Sequence, residues 1–178
     1  ASDFNWGWAP FHYGSWLYDD IYGWLWVPGY NWAPAWVIWG NYGDYYCWAP
    51  IGPRQVISPH YRPRNNHWNI IRHNNVTQHD LPHHCEDNSH FPDMNDHVSI
   101  IDNSGTFHQG VYGTGPKKDE VEKYSGQKIT AINISTVKQP QTTTIRNNQL
   151  QMFRPEIKKV NPVQKSAPAK IAKPANNN

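Results

Sequence analysis

The sequence predicts a mainly β protein: a small antiparallel sheet of short Trp-rich hairpins, one short helix, long irregular segments and an extended C-terminal tail. Three observations carry this expectation. Nine of the ten tryptophans lie in the first 48 residues. Within that head an aromatic-x-Trp-x-Pro pattern recurs four times, at Trp6–Pro10, Trp24–Pro28, Tyr30–Pro34 and Tyr46–Pro50. The chain beyond it is polar, with only one short stretch that reads as helical.

Successive side chains of a strand point to opposite faces, so aromatics two apart share a face, and the proline then ends the ladder by removing a donor. Each copy reads as a short strand with a stop. Turn signals at 18–23 separate Ser15–Tyr18 from Trp24–Trp26, and Gly40–Asp44 separates Trp36–Trp39 from Tyr45–Trp48, which predicts two hairpins. Residues 1–53 form the predicted head. Residues 54–97, with Pro59, Pro63, Pro82 and Pro92 among Asn, His and Arg, are predicted as loop. Residues 98–154 are predicted as a small β/α segment. It opens with a strand at Val98–Ile101 and a turn at Asp102–Gly105, followed by a helix over 116–125 that begins at Pro116 and stops at Gly126. Ile132 and Ile134 then alternate as a strand, and a hairpin over 142–153 turns at Asn147-Asn148. Residues 155–178 have the Lys, Pro, Ala and Asn composition of an extended basic tail.

Sixteen basic against 14 acidic residues give a formal charge of +2, too small for a nucleic-acid footprint. The distribution is more informative. Residues 1–52 carry four aspartates and no Lys or Arg, a net of −4, whereas residues 151–178 carry six cations and one anion, a net of +5. No apolar run reaches the roughly 18 to 20 residues that span a bilayer, so no transmembrane span is expected. No charged and apolar leader precedes Ala1, so any export signal is expected to have been removed or to lie outside this sequence.

Cys47 and Cys85 permit one disulfide in an oxidising compartment, and neither belongs to a CxxC or CxxCH motif. A Cys47–Cys85 bond is the expectation, two free structural thiols the alternative. Trp8, Trp16, Trp24, Trp26, Trp32, Trp36 and Trp48 are the candidate contact residues. They are open to three readings: a packed core, a surface for protein assembly, or a stacking platform for glycans. Arg154, Lys158, Lys159, Lys165, Lys170 and Lys173 are candidate docking residues of the tail. His79, His83, His84, His90 and His97, with Asp80, Glu86 and Asp87, hold enough ligand types for zinc or copper, but their spacing matches no metal motif, and a solvated loop is the simpler reading. Neither a phosphate loop, a GxSxG elbow nor an HExxH pair is present, so no catalytic residue, cofactor or metal is assigned.

The run from Trp6 to Pro53, with its Trp-Gly-Trp-Ala-Pro, Trp-Leu-Trp-Val-Pro and Cys-Trp-Ala-Pro segments, resembles a Trp-rich family of unknown function. Its members are exported bacterial proteins, some paired with a FecR-like module. Gly115–Glu122 with Gly126 and Phe153–Glu156 look like the second half of Bacteroidetes-type members, which usually carry further Trp-rich repeats upstream. The resemblance implies an exported protein, in the periplasm, at the outer-membrane surface or outside the cell, and no activity. The function expected is therefore non-enzymatic: a structural or interaction component of an envelope or surface assembly, in contact with other envelope proteins or further copies of itself. A carbohydrate-binding module is the first alternative and a metal-binding protein the second.

Overall fold

The computed structural model describes residues 12–53, 60–101, 104–107, 110–139 and 144–158, and it is mainly β. Both aromatic hairpins form. In the first, β1 (Gly14–Asp19) pairs antiparallel with β2 (Gly23–Pro28), setting Trp16 opposite Trp26 and Tyr18 opposite Trp24. Asp19 Oδ1 closes the turn by accepting the N–H groups of Ile21 at 2.9 Å and Tyr22 at 3.0 Å, an Asx device that leaves Gly23 to take a φ of +74°. In the second, β3 (Val37–Tyr42) pairs with β4 (Tyr45–Pro50) through the two-residue turn Gly43-Asp44, where Gly43 has the positive φ that tight hairpins need. Two copies of the repeated pattern thus become second strands that end in proline. The copy at Tyr30–Pro34 does not become a strand. There the backbone N–H of Ala33 bonds His12 O at 3.1 Å, and the Trp36 indole N–H donates to the same oxygen at 3.0 Å. The copy at Trp6–Pro10 lies outside the described residues.

The second hairpin is the centre of a five-stranded antiparallel sheet of order β6-β5-β4-β3-β7, completed by β5 (Asn69–Arg72), β6 (Cys85–Glu86) and β7 (Ser99–Ile100). Ile38, Cys47, Ala49 and Ile70 point to one face, where Trp68, Phe91, Met94 and Val98 cover them to form the core. This corrects the expectation of loop over 54–97, since its described part contributes two strands, one-turn helices α1 (Leu81–His84) and α2 (Met94–His97), and the core residues Trp68, Ile70, Phe91 and Met94. The signal was faint because Asn-Ile-Ile-Arg is too short to show a period, and it becomes a strand through its partner β4. Pro82 falls in the first turn of α1, where its missing N–H costs nothing.

The same register excludes the expected Cys47–Cys85 bond, and both thiols are free. Cys47 stands opposite Ile70, while Cys85 stands opposite Ile71, so the two project to opposite faces from strands two apart. Strands about 4.8 Å apart put their Cα atoms near 10 Å, beyond the roughly 7 Å a disulfide can bridge.

The other face carries Tyr46, Trp48, Trp39 and Ile71, and α3 (Lys118–Ser125) packs beside Tyr46 and His73. The helix forms where expected but starts at Lys118, with Lys117 as N-cap and Pro116 outside it, and carries Asp119 and Glu120 in its first turn and Gly126 closing it at φ +67°. His73 lies between Tyr46 and Tyr124, at centroid distances of 4.1 and 4.5 Å, and the Tyr46 hydroxyl donates to Glu120 at 3.0 Å.

Before that helix in the chain, β8 (Ser104–Phe107) pairs antiparallel with β9 (Gly110–Gly113), so Ser104 and Gly105 belong to a strand and not to the expected turn. The last sheet has order β10-β12-β11, from β10 (Asn133–Val137), β11 (Thr144–Arg146) and β12 (Gln149–Phe153). Its hairpin turns at Asn147 and Asn148, both at positive φ, as expected. The parallel pairing of β10 with β12 is not visible in the sequence.

Candidate functional site

The sequence-derived candidates divide among three settings. Trp48, with Trp39 at 5.4 Å, is part of the second face of the large sheet and serves packing. Trp16, Trp24 and Trp26 lie on one face of the first hairpin, where Trp16 and Trp26 pair at 5.4 Å and Tyr18 meets Trp24 edge-on at 5.3 Å. Trp32 and Trp36 line a cleft near the C-terminal end of the described chain. Trp8 lies outside the described residues.

The first hairpin is held to the body by groups that sequence reading did not single out. The His67 ring packs 4.7 Å from Tyr18 and 4.8 Å from Trp24. Burial, then the neighbouring Arg64 cation, holds its imidazole below the ordinary value, so it is the neutral ring that fits between the two aromatics. Among the described residues its buried Nε2 has no hydrogen-bond partner. Arg64 forms a two-pronged ion pair with Asp20, at 2.6 and 3.0 Å, and lies over the Tyr18 ring. That guanidinium holds the Asp20 carboxyl below the usual carboxylate range. The remaining surface of the hairpin is left open: Leu17, Ile21, Tyr22, Trp24 and Leu25 are all exposed, Ile21 and Tyr22 by 84% and 74%. Among the described residues neither outer edge of this two-stranded ladder carries another strand.

The cleft has a different chemistry. The Tyr13 hydroxyl donates to Pro155 O at 2.6 Å, which fixes the start of the tail against the head. Pro155, the first residue of the expected extended tail, is thus bound to the chain's own head. Arg154, expected to dock on a partner, lies with its guanidinium carbon 4.8 Å over the Trp32 ring, whose π surface is also stacked on His12 at 5.5 Å. Lys158 is exposed, and Lys159, Lys165, Lys170 and Lys173 lie outside the described residues.

The cysteines have no reactive setting. Burial pushes the Cys47 thiol up to about 12, and burial also raises Cys85. The histidines are dispersed: His83 pairs with Asp80 at 2.8 Å, His97 with Asp93 at 3.3 Å, and among the described residues no three His, Cys, Asp or Glu side chains converge as a metal site would require. No helix among the described residues is long and apolar enough to cross a membrane.

Residues 1–55 match the family model described as Family of unknown function (DUF6600). The matched part contains both aromatic hairpins and ends before β5, so it leaves out the strands and the α3 helix that enclose the second hairpin. No curated protein and no solved structure matches the chain.

Proposed function

We propose that this chain is a non-enzymatic structural or interaction component of a bacterial cell-envelope or surface assembly. The observation that carries the reading is the first hairpin, a two-stranded ladder that exposes Leu17 and Leu25 on one face, Trp24 on the other, and Ile21 and Tyr22 at its turn. Two-stranded hairpins are marginal alone, and several large apolar side chains exposed on one such small element mark a place where another protein sits. Ile134, Leu150 and Ile145, aligned across the last sheet with both isoleucines exposed, add a second apolar row. The partner is another envelope protein or a second copy of the chain, which the basic tail beyond Lys158 reaches by charge. The location, periplasmic or at the outer surface, rests on the resemblance of residues 6–53 to exported bacterial proteins.

The test is assembly of the intact chain in its native envelope fraction. Ile21→Lys with Tyr22→Ser changes only exposed groups, and interface truncations at well-packed anchors cost about 2 kcal/mol or more. The variant should keep the wild-type melting temperature and lose the high-mass complex. A variant that still migrates with the complex overturns the reading.

A further inference from the structure

The cleft between the Tyr30–Trp36 connection and the segment leaving β12 measures about 460 Å³, within the range of ligand sites. We propose that it binds a carboxylated saccharide, a uronic-acid-containing glycan, with Arg154 as the carboxylate anchor.

The argument starts from how Arg154 is held. A guanidinium stacked on an indole uses its flat face and leaves its in-plane N–H donors available, and these donors match a carboxylate in a two-pronged bond. Arg154 is half-buried, lies 4.8 Å over Trp32, and among the described residues has no carboxylate partner. A partly desolvated cation fixed in this way favours an incoming anion.

The remaining walls say which anion. A simple inorganic anion has no use for an aromatic wall. The Tyr30 ring, half exposed at the rim, offers an open face to the C–H side of a pyranose, whereas the Trp32 ring is already covered by His12 and Arg154. Asn31, Thr136 and Glu156 stand around the same cleft with side chains that exchange hydrogen bonds with hydroxyl groups. A planar carboxylate matches the guanidinium fork in a two-pronged bond, and the hydroxyl-matching groups beside Arg154 favour a sugar over an acidic peptide. The cleft is separate from the exposed hairpin, so this inference stands or falls apart from the assembly reading.

Calorimetric titration of the full chain with tetramers of galacturonate, mannuronate and guluronate, beside neutral galactotetraose, tests it. At least one uronate should bind saturably and about ten-fold or more tighter than the neutral tetramer, with the preference shrinking as salt rises. Arg154→Ala should remove the preference, and Arg154→Lys should recover part of it, because the charge returns without the fork. Tyr30→Ala alters an exposed ring, so it keeps the fold and should weaken all four ligands alike. The proposal is overturned if no uronate binds, if the neutral tetramer binds as well, if both alanine variants bind within two-fold of the parent, or if a glutamate-rich peptide displaces the uronate at equal concentration.

Discussion

The two aromatic hairpins are built from one pattern and end in different environments. Each has a second strand with aromatics two apart and a terminal proline, at Trp24–Pro28 and Tyr46–Pro50. The β3–β4 hairpin gains β7 on one edge, β5 on the other, a core on one face and α3 on the other. Among the described residues the β1–β2 hairpin gains no further strand, is held by the Arg64–His67 clamp, and keeps Leu17, Ile21, Tyr22, Trp24 and Leu25 exposed. Repetition therefore specifies the hairpin, while elements supplied by residues 60–126 determine whether its aromatics become core or surface.

Truncating an aromatic on each side of that contrast should give the largest effect. Trp68 is almost fully buried against the second hairpin and donates its indole N–H to Asn95 at 3.0 Å, so Trp68→Ala should cost about 3–5 kcal/mol. Trp24→Ala, at 43% exposure, should cost about 1 kcal/mol or less in the isolated chain. Equal losses in urea denaturation would erase the distinction between the two hairpins.

The glycines should repeat the contrast at smaller scale. A Cβ on Gly40 would lie 2.5 Å from Val98 Cγ2 and 3.0 Å from Cys47 Sγ, so Gly40→Ala should cost about 1–3 kcal/mol by overpacking. At Gly23 a Cβ meets nothing, and Gly23→Ala should cost only the about 1–2 kcal/mol of a left-handed backbone.

The clamp should make the first hairpin the acid-sensitive one. His67 titrates below its ordinary value in the folded chain, so as pH falls through about 6.5 the unfolded state takes up the proton first and stability declines. The Asp20–Arg64 pair is complete above the ordinary aspartate value of about 3.9 and fades as pH falls toward the depressed folded value. NMR signals of Tyr18 and Trp24 should move before those of Tyr46 as pH drops, and Asp20→Asn should remove the lower step. Simultaneous movement would show that the two hairpins open as one unit.

The smallest expected change is in the isolated chain. Leu25→Ser on the open hairpin should alter its stability by no more than about 0.5 kcal/mol. A larger loss, read from the urea midpoint, would mean that this surface packs within the chain and is not available to a partner.

The candidate site was legible only in its residue types. Trp24, Trp26 and Trp32 stood out by repetition, and Arg154 by its place in a basic stretch. That Arg154 would lie on Trp32 depends on contacts such as Tyr13 with Pro155, 142 positions apart, which no local pattern announces. Arg64 and His67 were invisible for the same reason, since each acquires its role only where the first hairpin lands.

Local chemistry alone specified a turn within Gly40–Asp44, which tertiary pairing narrowed to Gly43-Asp44, the turn at Asn147-Asn148, the helix that stops at Gly126, and the proline ends of β2 and β4, because each depends on backbone preferences of a few adjacent residues. Only the tertiary structure turned Asn69–Arg72 into a strand beside β4, separated Cys47 from Cys85, and laid β10 parallel to β12. Those outcomes rest on pairing and burial between segments tens of residues apart, where the stabilising partner is absent from the local sequence and the register is set by which faces can be covered.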